Sequence, residues 1–567
     1  MSRRDKYSKL LNFKSILSFA FCILLAALVF FPVFRFDLTS EKRYSIAPST
    51  KKLMQNISDP IEIKIYLDGD LNPGFFQLKQ AVGNLLEELS ARAAEAIFVS
   101  YINPSQAENA DEREAKYAEL ADRGMTPTAV YERDKEGKAI QKIIFPWLEI
   151  TYKNKTLPVS LLKNIRGNSG EENLNISIEN LEFEVTDAIR RLTNTKTPKI
   201  AFIEGHDEFS EAETYDISKS LSRYFQIDRG VLENDASILN NYQAIIVAGP
   251  RQAYSESDKY IIDQYIMHGG RVLWLIDGVR LARENLSKTG ISPLIELDVN
   301  LSDMLFRYGV RINPVVLQDV QCVNIPVNIA PHGEKPPFEA TPWYYAPLLL
   351  TSSQHPISRN LAEVKAEFTS SISLVGEKND LDAYLLLATS DNTHIVAAPA
   401  TIDLSHNPQA DDKNYFNVSF VPVAISLEGV FESNFSNRMV PRNLTNVAPM
   451  LTQSKITRQI VIANSEIIRN ETNGIASDST TLPLGFDRYT QQTFGNKEFL
   501  QNAVLYLTDN DGWMDLRSRS LKLRLLNKQI INNEPLKWQL INTLIPLVIL
   551  GIFGTAFFII RRKRFVS

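Results

Sequence analysis

Two uncharged apolar runs bracket the chain, Ser15 to Phe34 and Trp538 to Ile560. As a helix, each is long enough to cross a hydrocarbon core of about 30 Å at about 1.5 Å per residue. Between them the pattern shortens and alternates. Ile61, Ile63, Ile65 and Leu67 alternate with polar residues, as a strand does, and Leu78, Val82, Leu85, Leu86, Leu89 and Ala93 recur at steps of three and four along one helical face. The pattern then predicts a strand over 97–102, a polar helix around 111–123, and a hairpin pairing 129–132 with 139–145 across a turn at 134–137.

This βαβ-α-ββ order, with Pro127 leading into the third strand, resembles a thioredoxin-like domain, assigned to 35–175. No Cys-x-x-Cys stands before the first helix, so disulfide exchange has no nucleophile there. A second unit, 176–320, opens with a helix over 178–192. Buried apolar strands at 199–203, 244–248 and 271–276 follow, with a further segment at 227–232 after the first, separated by helical segments, one with a capping box at Ser210 and Glu213 and one opened by Ser257. Apolar strands alternating with helices predict a parallel, doubly wound sheet. The order resembles the flavodoxin-like or class I glutamine-amidotransferase-like fold, but the turn where those enzymes carry a nucleophilic Cys reads Ala248-Gly249-Pro250. The remainder, 321–537, reads as mixed α/β structure with long loops, including a proline-rich aromatic loop over 326–347, strands at 384–388, 421–427 and 459–463, and a helix at 498–507.

In doubly wound sheets ligands sit beyond the carboxyl ends of the strands. There the chain offers His206 as a base or metal ligand, with Glu204, Asp207 or Glu208 as partners, and Arg251 as an anion clamp. A polar loop rim that caps helices accounts for the same residues without any ligand. Trp343, Tyr344 and Tyr345 are a candidate surface for glycan or peptide, against the alternative that they pack beneath the loop. No catalytic residue, cofactor or metal site is assigned: the histidines are not spaced as a metal pair, and no Gly-x-Ser-x-Gly elbow or Walker loop occurs.

Charge changes the picture at the ends. The first 14 residues carry five basic groups against Asp5, and Arg561, Arg562, Lys563 and Arg564 follow the second run, so both tails (1–14 and 561–567) read as cytoplasmic. The two runs, 15–34 and 538–560, then read as membrane spans. The 35–537 segment between them is acidic, holding 52 of the 61 Lys+Arg and 65 of the 66 Asp+Glu. With a net charge of -5 overall, nucleic acid is not an expected partner. Neither span contains an ionisable residue, so neither offers a transport path, and Gly551 and Gly554 mark a face where the second span can approach another helix closely.

Five stretches in this order, Arg35-Phe-Asp-Leu-Thr-Ser-Glu-Lys-Arg-Tyr-Ser-Ile, Gly205-His206-Asp207-Glu208, Gly269-Gly270-Arg271-Val-Leu-Trp, Gln354-His355-Pro356-Ile357 and Asn496-Lys-Glu-Phe-Leu-Gln-Asn, carry a resemblance. With the terminal spans, the chain resembles the gliding-motility-associated ABC-transporter auxiliary components of Bacteroidetes, GldG, over nearly its whole length. The resemblance implies a noncatalytic subunit of the bacterial inner membrane, with its large domain in the periplasm and with a permease and a cytoplasmic ATPase as partners. It supplies no catalytic residues. The alternatives are an envelope glycan- or peptide-binding receptor and an envelope hydrolase built on His206.

Overall fold

The computed structural model describes residues 45–565, apart from 108, 134–138, 166, 195–196, 329–337, 377–380, 405–407, 474–479 and 519–533. The first apolar run, the basic tail before it and the turn at 134–137 therefore lie outside the described residues. The residues up to Arg519 make one contact unit, and the C-terminal helix belongs to another.

The amino-terminal part begins with α1 (Pro48–Gln55), β1 (Ile61–Ile65), α2 (Pro73–Ser90), β2 (Ile97–Tyr101) and α3 (Ala110–Asp122). The side chain of Asn72 accepts from the Phe75 amide at 2.9 Å and starts α2, whose Leu78, Val82 and Leu86 are buried against Ile61, Ile63 and Ile65. The hairpin of β3 (Thr128–Arg133) and β4 (Ala139–Ile144) forms as the pattern predicts, but as a separate two-stranded sheet. The main sheet is completed instead by β5 (Trp147–Tyr152) and β6 (Lys155–Ser160), giving the order β2-β1-β5-β6 with β1 and β2 parallel and the other pairs antiparallel. Lys153, at φ 54, makes the tight turn between them. A buried carboxylate, Glu149, interrupts the apolar run of β5; it is held by the Arg123 guanidinium and the Tyr66 hydroxyl, the latter at 3.2 Å.

Helix α4 (Gly170–Thr193) starts eight residues before its predicted beginning at 178, capped by the reciprocal pair Ser169 and Glu172. It leads to β7 (Lys199–Ile203), α5 (Tyr215–Leu221), β8 (Gln226–Gly230), β9 (Ala244–Ala248), α6 (Glu256–Met267) and β10 (Val272–Leu275). The strands β8, β7, β9 and β10 lie parallel in that order. The sheet does not stop at residue 320. It continues through β11 (Cys322–Asn328), β12 (Phe338–Thr351), β13 (Leu381–Ala388), β14 (Pro422–Gly429) and β15 (Thr457–Ile462). The order is β11-β12-β13-β14-β15-β10-β9-β7-β8, so β15 supplies the fifth parallel strand beside β10 and the next neighbours are antiparallel. The described parts of the predicted aromatic loop, 326–328 and 338–347, are thus paired strand at the sheet's edge, where prolines disturb pairing least.

Helix α7 (Asn496–Thr508) packs on one face of this sheet, and the segment after it is bolted to α4. Trp513 stacks on Phe183 with centroids 5.0 Å apart, and the Arg190 guanidinium lies 4.8 Å from the Trp513 ring. Beside them Lys163 reaches Glu184 at 2.9 Å and Glu498 at 3.0 Å, and Arg517 reaches Glu498 at 3.4 Å. Burial works against the Glu498 charge, but Lys163 and Arg517 outweigh it and hold the carboxyl near about 2. The C-terminal helix, α8 (Pro535–Phe565), contains Pro546 and an apolar stretch of mean hydropathy 2.5 with no buried residue.

Candidate functional site

The carboxyl ends of β7 and β9 are where the sheet's winding reverses, the place at which a crevice opens in folds of this type. Here the crevice is closed. The Phe209 amide donates to the Ala248 carbonyl at 3.0 Å, and the Arg251 and Gln252 amides donate to the His206 carbonyl at 2.9 and 3.0 Å. The Phe209 ring, 1% exposed, fills the gap, with the guanidiniums of Arg251 and Arg469 at 5.1 and 5.3 Å from its centroid. Gly249 makes this approach possible: at φ +67, a Cβ there would stand 2.8 Å from Phe209 and 2.9 Å from Ser465.

His206 is buried beside this plug. Its Nδ1 lies 3.2 Å from Glu208 Oε1 and its Nε2 3.2 Å from Asp258 Oδ2, while its ring stacks on Tyr254 at 3.5 Å. A neutral imidazole has one N–H, so facing a carboxylate at each nitrogen selects the doubly protonated ring. Burial opposes that charge, but the hydrogen bonds to Asp258 and Glu208 outweigh it and raise His206 from 6.5 to about 9. Burial likewise pushes the Glu208 carboxyl up, yet bonds from His206 and Tyr254 bring it below the ordinary range. An imidazolium locked between two carboxylates is a structural cation, with no lone pair for a proton or a metal. The partners proposed from sequence are rearranged: Glu204 pairs with Arg229 at 2.7 Å, Asp207 sits exposed at φ 60, and Asp258 takes the second ring nitrogen. Ser255, accepting from the Asp258 amide at 3.2 Å, caps α6 and fixes that carboxylate in its first turn.

The three aromatics at 343–345 alternate across β12. Tyr344 is buried against Phe416 and donates to the Pro408 carbonyl at 3.1 Å, whereas Trp343 and Tyr345 pack on Phe368. Trp343 also lines a cavity of about 570 Å³ shared with the loops after β15. Lys365 is buried in its floor, 2.8 Å from Glu471 and 3.2 Å from Asp487. Asn496 fixes the Lys365 backbone like a strand partner, accepting from its amide at 2.9 Å and donating to its carbonyl at 2.8 Å. Sequence reading passed over Lys365, Glu471 and Asp487, because the two carboxylates lie more than a hundred residues beyond the lysine and carry no local motif. Burial pushes the Cys322 thiol up to about 12, so it is no nucleophile at neutral pH. Among the described residues no group of His, Cys, Asp and Glu is placed to hold a metal ion.

On the C-terminal helix Gly551 and Gly554 stand open, with nothing within 4 Å of an added Cβ. The Thr555 hydroxyl donates to the Gly551 carbonyl at 2.7 Å, so this small-residue face needs no polar partner. A single candidate membrane helix among the described residues and a large α/β body fit a membrane-anchored protein of the transport class. The chain belongs to the ABC-type uncharacterized transport system family of auxiliary components, whose profile matches residues 197–503, more than half of its length. A domain of unknown function (DUF7088) matches residues 40–151. A full-length relative, an uncharacterized protein of Borreliella burgdorferi, is 21% identical over 99% of both chains. Among solved structures, the mmIFT52 N-terminal domain is similar at 15% identity with a TM-score of 0.32, over 55% of this chain and 98% of that one.

Proposed function

We propose that this chain is a noncatalytic, membrane-anchored extracytoplasmic subunit of an ABC-type complex, coupled to a permease and a separate cytoplasmic ATPase. The observation that carries the reading is the closed switch-point crevice. Where an α/β enzyme or solute receptor of this type would open, Phe209 fills the space and His206 is spent in ion pairs, so the sheet serves as a rigid body. The apolar helix ending in Arg561, Arg562 and Lys563 supports an anchor with its basic end in the cytoplasm. In this reading 15–34 is a second span of the bacterial inner membrane, the body is periplasmic, 35–175 is thioredoxin-like, 176–320 is the core of a flavodoxin-like unit, and the complex serves gliding motility as the motif order suggests. Affinity purification of the full-length protein from membranes tests the subunit role: permease and ATPase should copurify in stoichiometric amounts, and purification of the chain alone refutes it.

The cavity beside Trp343 favours a second reading, a receptor for an envelope glycan or peptide. A ligand-dependent rise in the melting temperature, lost in Trp343→Ala, would select it.

A further inference from the structure

We propose that the cavity beside Trp343 binds a cationic group, an alkylammonium or a guanidinium, carried on an apolar stem. This goes beyond the subunit reading and stands whether or not that reading holds. The cavity, about 570 Å³, has room for a small molecule or for one long side chain. Its wall holds five carboxylates, Glu213, Glu367, Glu466, Glu471 and Asp487, against three cations, Lys365, Arg469 and Arg488. The excess is two negative charges in a recess with low-dielectric walls, where the field is focused.

The floor already holds a cation of this kind. The Lys365 ammonium, with its side chain 9% exposed, is ringed by Glu471 at 2.8 Å, Asp487 at 3.2 Å and Glu367 at 3.9 Å. Burial by itself would drive a lysine toward the neutral form, but here Glu367 and Glu471 outweigh it and raise the pKa. The arginines of the wall are themselves already paired with its carboxylates. Arg469 is engaged by Glu213 at 2.9 Å and lies against Phe209, and Arg488 is engaged by Glu471 and the Thr472 carbonyl, both at 3.1 Å. Trp343, Phe486 and Tyr489 add aromatic surface, with Tyr489 55% exposed, and an aromatic face attracts a cation. The same chemistry comes from a free amine or from a Lys or Arg side chain of a partner protein.

The experiment is calorimetric titration of the full-length protein in detergent with putrescine, blocked lysine amide, blocked arginine amide and, for contrast, blocked glutamate amide. Saturable binding of the cationic probes and none of the glutamate probe is expected, weakening as salt rises from about 0.05 to about 0.5 M. Glu471→Gln should weaken binding about tenfold, equivalent to about 1.4 kcal/mol. Tyr489→Ala, at an exposed position that leaves the core intact, should weaken it several-fold. Putrescine binding tighter than the blocked amino acids assigns a free amine, and the reverse order assigns a partner's side chain. Glutamate amide binding as tightly as the cations, no saturable binding of any cation up to about 10 mM, a dissociation constant corresponding to about -2.7 kcal/mol, or unchanged affinity in both variants overturns the proposal.

Discussion

Replacing His206 by Ala removes a cation from between Glu208 and Asp258 and leaves Glu208, whose side chain is 1% exposed, without its charge partner. The rise from 6.5 to about 9 corresponds to about 3 kcal/mol at about 1.4 kcal/mol per pKa unit. Asp258 is partly open to solvent, and screening reduces the electrostatic part to about 2 kcal/mol. Loss of the stack on Tyr254 adds about 1 kcal/mol. The sign follows from the direction of the shift. A raised pKa stabilises the fold fully below 6.5, and that contribution fades as pH climbs through about 9. Urea unfolding of the full-length protein in detergent, at pH values from about 6 to about 10, measures it: the gap between wild type and variant should be about 3 kcal/mol at the acid end and about 1 kcal/mol at the alkaline end. A gap that stays constant across this range would mean that the imidazole is neutral and would refute the ion-pair reasoning. A large cost also changes what the substitution can say about catalysis. Loss of function in this variant reports unfolding unless abundance and melting are normal.

Phe209→Ala should cost about 3–5 kcal/mol in the same unfolding assay by emptying the switch-point plug, and Gly249→Ala should be destabilising through its clash and its left-handed φ. Gly551→Leu with Gly554→Leu should abolish copurification of the permease and ATPase while leaving the melting of the soluble body unchanged; retained copurification would place the contact elsewhere. In a variant lacking Cys22 and Cys322, a cysteine at the exposed Asp411 should react with an impermeant maleimide in cells with a permeabilised outer membrane, and one at Ser567 should not; the opposite labelling would invert the proposed topology.

Local pattern carried the helices and the apolar strands well, because their signals lie within one element. Ile61, Ile63 and Ile65 alternate, and β7, β9 and β10 are apolar on both faces as buried parallel strands must be, whereas β8, with Asp228 and Arg229, is the edge strand. What local pattern could not carry was pairing at long range. The strand at 457–462 was legible, but its place beside β10, nearly two hundred residues earlier, leaves no mark in either segment. Strands β5 and β6 were missed because Glu149 and Pro158 break their alternation, Glu149 being tolerated through Arg123 and Tyr66. The prolines of 326–347 suggested a loop, whereas Pro326, Pro342 and Pro347 sit in the outermost strand pair. For the site, the sequence placed His206 and Glu208 at the correct end of the sheet. Their chemistry depended on Asp258 and Tyr254, contributed by α6 and the loop before it, and on Phe209 folding into the crevice.

The stack of Trp513 on Phe183, with Arg517 tied to Glu498 and Lys163, has a mechanical consequence. The last described residues of the body, Met514–Ser518, lie in this clasp on α4. Displacing the segment that follows α7 must therefore break ring stacking and ion pairs with α4 and its neighbours. Because α4 buries Leu181 and Ile189 against the amino-terminal sheet and Phe183 against the core of the long one, a single grip on α4 bears on two cores. The clasp is thus a brace on the one helix that both cores share.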